Sequence, residues 1–294
     1  MRVRIIFNLK NRGANVPFHH QFLLAQLIKG ILMQGGDATF SHYNFYNFSG
    51  LKGQTKISRN GLHFFSSKVT LVLSSPNEKF INYFIKNLFA YPKVEIGNLI
   101  LNPDSVEKEE SPELTDVSKF ICISPLVLVV PGFNDSEGKR FISPESDSFS
   151  DILYESTIDR MEQFGYTAEQ LSSFYKFQIV PDSDYLARIR DTQKKFARIY
   201  PVYDQDVKYE VRGYTFPFRL YAAPEVQSFV FTCGLGNFAH KGFGMLDIAN
   251  ANPGKRTKVF SLGQAKKEEQ AIESPSTGEP EAKKQEEVPE NGGQ

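Results

Sequence analysis

The sequence predicts an α+β protein with two ferredoxin-like domains in tandem, each of element order β-α-β-β-α-β, followed by a disordered tail. Strand-like and helix-like periods alternate in this order over roughly the first hundred residues, and a similar order follows a polar stretch near residues 105–115. The C-terminal residues are rich in Glu, Lys, Pro and Gly and too poor in apolar residues to offset the entropy of ordering. We therefore expect domains at 1–110 and 111–252 and disorder at 253–294.

The first domain opens with a strand and a helix. Val3, Ile5 and Phe7 alternate with polar residues at the period of a half-buried strand. After Pro17, apolar residues recur at helical spacing until Gly35-Gly36, which is predicted to end the helix.

Two strands, a helix and a final strand pair complete this domain. Two β-rich runs flank Asn60-Gly61, the dipeptide best suited to the type I′ turn of a hairpin. The tetrapeptide Ser75-Pro76-Asn77-Glu78 has a capping-box pattern with proline at the first helical position, so a helix is predicted to begin there. Short strands surround Gly97-Asn98.

The second domain repeats the order less regularly. FICISPLVLVVPG predicts a strand, and the pattern that ends at Gly165 predicts a helix. FQIVPDSDYLARIR and DVKYEVRGYTFPFRLYA are predicted as further strands. Pro224 then begins a short helix that leads into a glycine-rich stretch and a last strand, GMLDI.

Composition excludes several classes of protein. Of 294 residues, 40% are hydrophobic and 23% are charged, which is typical of a folded globular protein. No apolar run is long enough for a membrane helix, and the N-terminus lacks the apolar core of a signal peptide, so we expect a cytoplasmic protein with no membrane partner. Cys122 and Cys233 lie among apolar residues, which predicts buried, reduced thiols; we expect no structural metal and no cofactor.

The stretch GLGNFAHKGFG carries two matched glycine pairs around a basic dipeptide. Its pattern residues are Gly234, Gly236, His240, Lys241, Gly242 and Gly244. Positions without side chains let backbone N–H groups approach an anion, and a lysine adds positive charge. A P-loop is excluded because no GK[ST] follows. A tight helix-to-strand connection is the structural alternative, and the matched pairs favour contact with phosphate over it.

A basic run is the second candidate for phosphate binding. It consists of Arg188, Arg190, Lys194, Lys195 and Arg198. Contacts from such side chains to a nucleic-acid backbone provide affinity that does not depend on sequence. A solvated strand and turn is an equally good interpretation.

The glycine-rich pattern at the end of a tandem ferredoxin-like chain resembles the CRISPR-associated repeat-RNA endoribonucleases of the RAMP superfamily. VPFHHQFLLAQLIKGIL resembles the first helix of that family, ATFSHYNFYNFSGL the loop after it, and ISPLVLVV the start of its second domain. The resemblance implies CRISPR repeat RNA as the substrate and an interference complex as a further partner, with monomer and homodimer both open. It also implies a metal-free reaction that leaves a 5′-hydroxyl and a 2′,3′-cyclic phosphate.

The resemblance assigns the catalytic candidates. His42 stands where the family carries a catalytic histidine, a residue able to take either proton-transfer role near neutral pH. A surface histidine without function is the alternative. Lys29 stands where the family often carries an assisting tyrosine, and Asn44 where it carries a lysine, so Lys29 or Lys52 would supply the cation.

His19 and His20 are weaker catalytic candidates. His20 shares the apolar face of the first helix, which favours a structural role, whereas His19 lies off that face and is placed to reach RNA. A non-catalytic RNA-binding subunit of a CRISPR effector complex is the alternative function, kept open by Asn44. An ordinary single-strand RNA binder is disfavoured because no RNP1-type octapeptide is found.

Overall fold

Antiparallel sheets with helices packed against them give the chain a mixed α+β fold. The structure, a computed structural model, describes residues 1–130, 140–204 and 207–260. Residues Met1–Phe260 group into one compact unit. Every helix in the described ranges is too short or too polar to cross a lipid bilayer.

The N-terminal half is a sheet with two long helices. Its elements are β1 (Arg2–Leu9), β2 (Asn15–Val16), α1 (Gln21–Gln34), α2 (Ala38–Ser41), β3 (Asn47–Phe48), β4 (Thr55–Ser58), β5 (Gly61–Phe64), β6 (Lys68–Ser74), α3 (Glu78–Ala90), β7 (Val94–Ile96) and β8 (Leu99–Glu109). The main sheet has the order β8-β1-β6-β3, and its neighbouring strands are antiparallel. Ile5 and Phe7 of the predicted first strand are fully buried in one core with Leu24 and Ile28 of α1. The alternation of apolar residues in the strand and their helical spacing in α1 predict this burial.

The C-terminal half is built in the same way. Its elements are β9 (Val117–Cys122), β10 (Val129–Val130), β11 (Arg140–Phe141), α4 (Phe149–Phe164), α5 (Ala168–Ser172), β12 (Phe177–Pro181), α6 (Ser183–Asp191), β13 (Ala197–Asp204), β14 (Val207–Tyr214), β15 (Pro217–Ala222), α7 (Pro224–Cys233), β16 (Leu246–Ile248) and β17 (Thr257–Val259). The order of its main sheet is β12-β15-β9-β16. Each half also inserts a hairpin between the second and third strands of its main sheet, β4–β5 in the first and β13–β14 in the second.

The predicted hairpin around Asn60-Gly61 exists, but the predicted turn is wrong. Ser58 pairs with Gly61, so the central residues are Arg59 and Asn60, and of the four only Gly61 has a positive φ. A type I′ turn needs positive φ at both central residues. Gly61 instead lies against the backbone of β2, where a Cβ atom would be 2.0 Å from the carbonyl oxygen of Val16. The second strand of the main sheet is β3, which lies in the segment predicted as a loop.

Capping residues explain two further differences. Asn77, not Ser75, caps α3 by accepting a hydrogen bond from the N–H of Phe80, which leaves Pro76 outside the helix. The segment predicted as one strand, FQIVPDSDYLARIR, is β12 followed by α6. Asp182 accepts a hydrogen bond from the N–H of Tyr185 at 3.0 Å, and this N-cap starts the helix.

The sequence predicts disorder from Pro253 onward, and for the first residues of this segment the prediction is wrong. A short 3₁₀ helix at Pro253–Arg256 leads into β17, which pairs with the end of β8. The polar stretch near residue 105 likewise begins inside β8. Paired backbone groups stabilise these polar segments, a contribution that apolar periodicity does not reveal. The remainder of the predicted tail, 261–294, lies outside the described residues.

A buried ion-pair network joins the two halves. Arg2 of β1 forms an ion pair with Glu109 at 2.7 Å and lies 3.7 Å from Asp247, and it also donates a hydrogen bond to the carbonyl of Leu246. Desolvation lowers the pKa of Arg2, and the carboxylates of Glu109 and Asp247 oppose that shift. A buried cation needs such partners, so β1, β8 and β16 are held in one arrangement. The predicted burial of Cys122 and Cys233 is confirmed, and both are free thiols.

Candidate active site

All four glycines of the glycine-rich stretch have backbone conformations that other residues rarely adopt. Their φ angles are 82° at Gly234, 76° at Gly236, 86° at Gly242 and 69° at Gly244. At Gly244 the space is also closed, because a Cβ atom would lie 1.8 Å from the carbonyl oxygen of Leu235. Both features require glycine for structural reasons.

The glycine-rich stretch packs directly against β3 of the N-terminal half. Asn47 donates a hydrogen bond from Nδ2 to the carbonyl of Phe243 at 2.8 Å. A Cβ atom at Gly242 would lie 2.4 Å from the ring of Phe48, and one at Gly234 would meet Asn47. The missing side chains therefore let the two halves approach closely.

Arg160 of α4 holds the stretch from the other side. Its guanidinium donates to the carbonyls of Cys233 at 2.8 Å, Gly234 at 2.7 Å and Gly236 at 3.4 Å. Desolvation lowers the pKa of Arg160. Sequence reasoning missed this residue, because an arginine within an amphipathic helix carries no local signal of its long-range partners.

Several N–H groups of the stretch are used internally rather than presented to an anion. Leu235 donates to Gly244, Asn237 donates to Val127, and Gly244 donates to Pro125. The helix-to-strand connection, the structural alternative weighed for this motif, thus accounts for the glycines. Contact between Gly234, Gly236, Gly242 or Gly244 and RNA phosphates stays a prediction.

The basic dipeptide lies at the accessible edge of the stretch. His240 and Lys241 belong to a short 3₁₀ turn and are both half-buried. Lys241 donates from Nζ to the carbonyl of Tyr203 at 3.1 Å, which connects this turn to the β13–β14 hairpin. Its charge remains near the surface, where contact with RNA stays a prediction.

A cleft of about 400 Å³ separates the loop after α2 from the glycine-rich stretch. Asn44 lines one wall and His240 lines another. The third wall is α4, which contributes the exposed carboxylates of Glu155 and Asp159. The fold therefore brings the predicted catalytic loop and the glycine-rich stretch to opposite sides of one cleft, although they lie far apart in the chain.

His42 is exposed at the C-terminal end of α2. Its neighbour Tyr43 anchors the loop, through a contact of 3.1 Å between its hydroxyl and that of Ser75 and through ring packing on Phe80. Within the described ranges the His42 imidazole makes no hydrogen bond, so it is free to meet a ligand. Its catalytic role stays a prediction.

The two candidate lysines have different surroundings. Lys29 is exposed on α1, on the face that also carries Phe22 and Gln26. No hydrogen bond or ion pair joins Lys29 to His42 among the residues that the structure describes. Lys52 is half-buried, and desolvation lowers its pKa. Lys29 is the more accessible of the two to a phosphate.

His20 has the geometry of a structural histidine. Its Nε2 accepts the backbone N–H of Leu51 at 3.1 Å, so Nδ1 carries the proton and donates to the carbonyl of Pro17 at 3.2 Å. The side chain is buried, and desolvation lowers its pKa. With both nitrogens occupied, His20 fits the structural role that its place on the apolar face of the helix favours. Its role in catalysis stays a prediction.

The buried neutral His20 predicts a loss of stability at acidic pH. In the unfolded chain the His20 imidazole has its ordinary pKa of 6.5, whereas in the folded state it is protonated only at lower pH. The contribution of His20 to stability is therefore fully present above this pH, and below it the free energy of unfolding falls by at most about 1.4 kcal/mol per pH unit. Urea denaturation between pH 7 and 5 measures the slope.

A His20→Gln variant isolates this contribution. We expect a shallower decline of stability with falling pH, whatever the stability of the variant at pH 7. The pKa of His19 is also lowered, first by desolvation, so His19→Gln is measured in parallel. An identical slope in wild type and His20→Gln would contradict the assignment.

His19 lies at the start of α1 beside the β13–β14 hairpin. Its ring packs edge-on against Tyr200, with 4.3 Å between ring centroids. Desolvation and the charge of Arg198 both lower the pKa of His19. The half-buried ring is thus placed near the basic run, and its contact with RNA or role in catalysis stays a prediction.

The basic run is divided among a helix, the turn after it and β13, which carries Arg198. Arg188 and Arg190 lie in the last turn of α6, where cations interact favourably with the helix dipole. Lys194 and Lys195 follow in the connection to β13, and both are exposed. The described residues contain no group of three or more His, Cys, Asp or Glu side chains placed to hold a metal ion.

Comparison with known proteins points in one direction. Residues 107–248 match the family described as CRISPR associated protein Cas6, C-terminal. The chain is 23% identical over 256 residues to the CRISPR-associated endoribonuclease Cas6 1 of Methanocaldococcus jannaschii, which covers 83% of this chain and 93% of that protein. It is 22% identical over 212 residues to a putative CRISPR-associated endoribonuclease-like protein Cas6 of Pyrococcus furiosus, over 71% and 80% of the two chains.

Solved structures with the same fold are also found. A Cas6-related protein from Pyrococcus furiosus superposes with a TM-score of 0.72 at 20% identity, covering 86% of this chain and 99% of that one. A RAMP protein that binds different RNA substrates superposes with a TM-score of 0.71 at 20% identity, over 85% and 100% of the two chains. At these identities the likeness establishes the fold.

Proposed function

Because this chain is a Cas6-type CRISPR-associated protein, we propose that it is a metal-independent endoribonuclease that cuts precursor CRISPR RNA within its repeats. The observation that carries the proposal is the cleft between the loop of His42 and the glycine-rich stretch. Asn44 of that loop and His240 of the stretch line the cleft. The exposed His42, two residues before Asn44, is the proposed proton-transfer group. Relatives named as endoribonucleases support cleavage as the outcome.

The proposed reaction needs three functions from the protein. The ribose 2′-oxygen attacks the adjacent phosphorus while its proton passes to a base, and the bond to the 5′ oxygen breaks as that oxygen gains a proton. His42 serves in one of these two proton transfers. Lys29 faces the developing phosphorane charge, since a nearby cation stabilises it. The products are a 2′,3′-cyclic phosphate and a 5′-hydroxyl.

We also infer that residues 1–110 and 111–252 are two ferredoxin-like domains. The strand orders β8-β1-β6-β3 and β16-β9-β15-β12 support this division, because each places its first and third strands at the centre, as the β-α-β-β-α-β unit requires. Repeat RNA as the partner is supported by the RAMP structure that binds RNA.

Cleavage of the cognate repeat RNA in excess EDTA tests this function. We expect a single cut per repeat, and a product whose 5′ end is phosphorylated by a kinase without prior phosphatase treatment, because it carries a hydroxyl. A scrambled repeat of equal length is the control. Absence of product, or a product with a 5′-phosphate, would reject the proposed reaction.

The alternative is a non-catalytic RNA-binding subunit of a CRISPR effector complex. Two observations favour it: Asn44 replaces the family's lysine, and α4 lines the cleft with two carboxylates, Glu155 and Asp159, against the one guanidinium of Arg160, which is hydrogen-bonded to the glycine-rich stretch. The excess of carboxylates disfavours entry of a phosphodiester into this cleft. This function predicts tight repeat binding with no product in the same assay, so one experiment separates the two.

A further inference from the structure

A second cavity, of about 200 Å³, lies away from the cleft between α6 and the β13–β14 hairpin. Lys194, Lys195 and Arg198 line it together with Tyr185, Tyr200 and Thr215. Three cations thus converge on a recess large enough for a phosphate and part of its sugar. The proposed reaction uses none of them.

Among the described residues, the cations around this cavity have no ionic partners. None of Lys194, Lys195 and Arg198 forms an ion pair with a carboxylate of the described chain. Between Tyr185 and Tyr203 the chain carries five basic residues and one acidic residue, Asp191, although the whole chain has a net charge of zero. Such a local excess of unpaired positive charge attracts an anion from solution.

The walls of the cavity are held by hydrogen bonds. Gln193 adopts a left-handed conformation with φ 51°, and Lys194 donates its N–H back to Ile189 at 3.1 Å, which fixes the turn after α6. The hydroxyl of Tyr185 donates to the carbonyl of Thr215 at 2.8 Å. These bonds set the backbone that carries the lysines before any ligand binds, so little ordering of that backbone remains for binding.

We propose that this cavity binds one backbone phosphate of a single-stranded RNA segment. The inference rests on the proposed function only for its source of phosphate, an RNA. Single strands are favoured because a recess must be entered by a nucleotide splayed away from its neighbours, which a stacked duplex resists. A free nucleotide offers the same phosphate chemistry and is the competing source.

Binding of a fluorescent single-stranded RNA of ten nucleotides, without repeat sequence, tests the site. The triple variant Lys194→Gln, Lys195→Gln, Arg198→Gln removes exposed charges that make no ion pair with the described part of the chain, so the fold should persist; circular dichroism checks this. We expect RNA affinity to fall about tenfold or more. The slope of log affinity against log salt should fall by about 0.7, the value for one phosphate on a single strand. Lys86→Gln, an exposed lysine of α3, is the control and should change neither quantity.

Two comparisons distinguish the source of the phosphate. A blunt RNA duplex should lose little affinity in the triple variant, and an equal loss for duplex and single strand would overturn the single-strand assignment. Adenosine monophosphate should compete only at high concentration. Tight binding of this nucleotide that needs the three cations, with RNA binding unchanged, would overturn the RNA assignment. If repeat RNA were not cleaved while RNA still bound at this site, the proposed function would be rejected and the proposed phosphate site would stand.

His19 provides a direct spectroscopic readout. Its ring contacts Tyr200 and lies next to His20 in the chain, and Arg198 is the charged group that disfavours its protonation. A phosphate bound at Arg198 should therefore raise the pKa of His19, as followed by NMR of the imidazole. In Arg198→Gln the pKa of His19 should already be higher and respond less to RNA. No change on RNA binding to wild type would place the phosphate elsewhere.

Discussion

Replacement of His42 by alanine is expected to slow cleavage of repeat RNA by about 10²–10⁴-fold, the usual contribution of a positioned proton-transfer group. RNA affinity should stay nearly unchanged, because the exposed imidazole makes no internal hydrogen bond in the described chain whose loss would disturb the loop. Single-turnover rates with excess protein separate the chemical step from binding.

Matched variants define what this result means. Thr39→Ala changes another exposed side chain of the same short helix and should cut at the wild-type rate. His19→Ala tests the remaining histidine near the basic run. Undiminished cleavage by His42→Ala would show that His42 takes no part in the reaction. If the variant instead lost RNA binding while cleavage stayed intact, His42 would serve in binding and not in proton transfer.

Replacement of Gly244 by alanine is expected to lower the free energy of unfolding by about 4 kcal/mol. A positive φ of 69° costs a non-glycine residue about 1–2 kcal/mol. Steric overlap adds to this, since the new Cβ would lie 1.8 Å from the backbone oxygen of Leu235 and a tight core resists the shift at a further cost of about 1–3 kcal/mol. Urea denaturation measures the total.

Gly36→Ala is the matched control for this effect. Gly36 also has a positive φ, of 75°, but a Cβ there would meet nothing within 4 Å. It should cost only the conformational part, about 1–2 kcal/mol. If Gly244→Ala were no more destabilising than Gly36→Ala and instead weakened RNA binding, the glycine would serve the ligand rather than the packing between the two halves.

Local patterns predicted most of the strands and helices. The first strand, α1 and its end near Gly35, and the helix that ends at Gly165 all follow from short-range periodicity and from the ability of glycine to end a helix. Errors arose where a single capping or pairing contact decided the outcome. Asp182 starts α6 inside a segment that reads as a strand, and β17 is ordered by pairing with β8.

In the candidate site, too, some features follow from local sequence and others from long-range contacts. The amino-acid sequence by itself determined most of the two sets of elements and the glycine-rich stretch, because each depends on neighbours a few residues away, whereas the candidate His42 came from a resemblance to a known family. Only the tertiary structure decided that Asn47 and Arg160 hold that stretch and that both nitrogens of His20 are occupied. These depend on contacts between residues far apart in the chain, which burial makes strong and which no local pattern encodes.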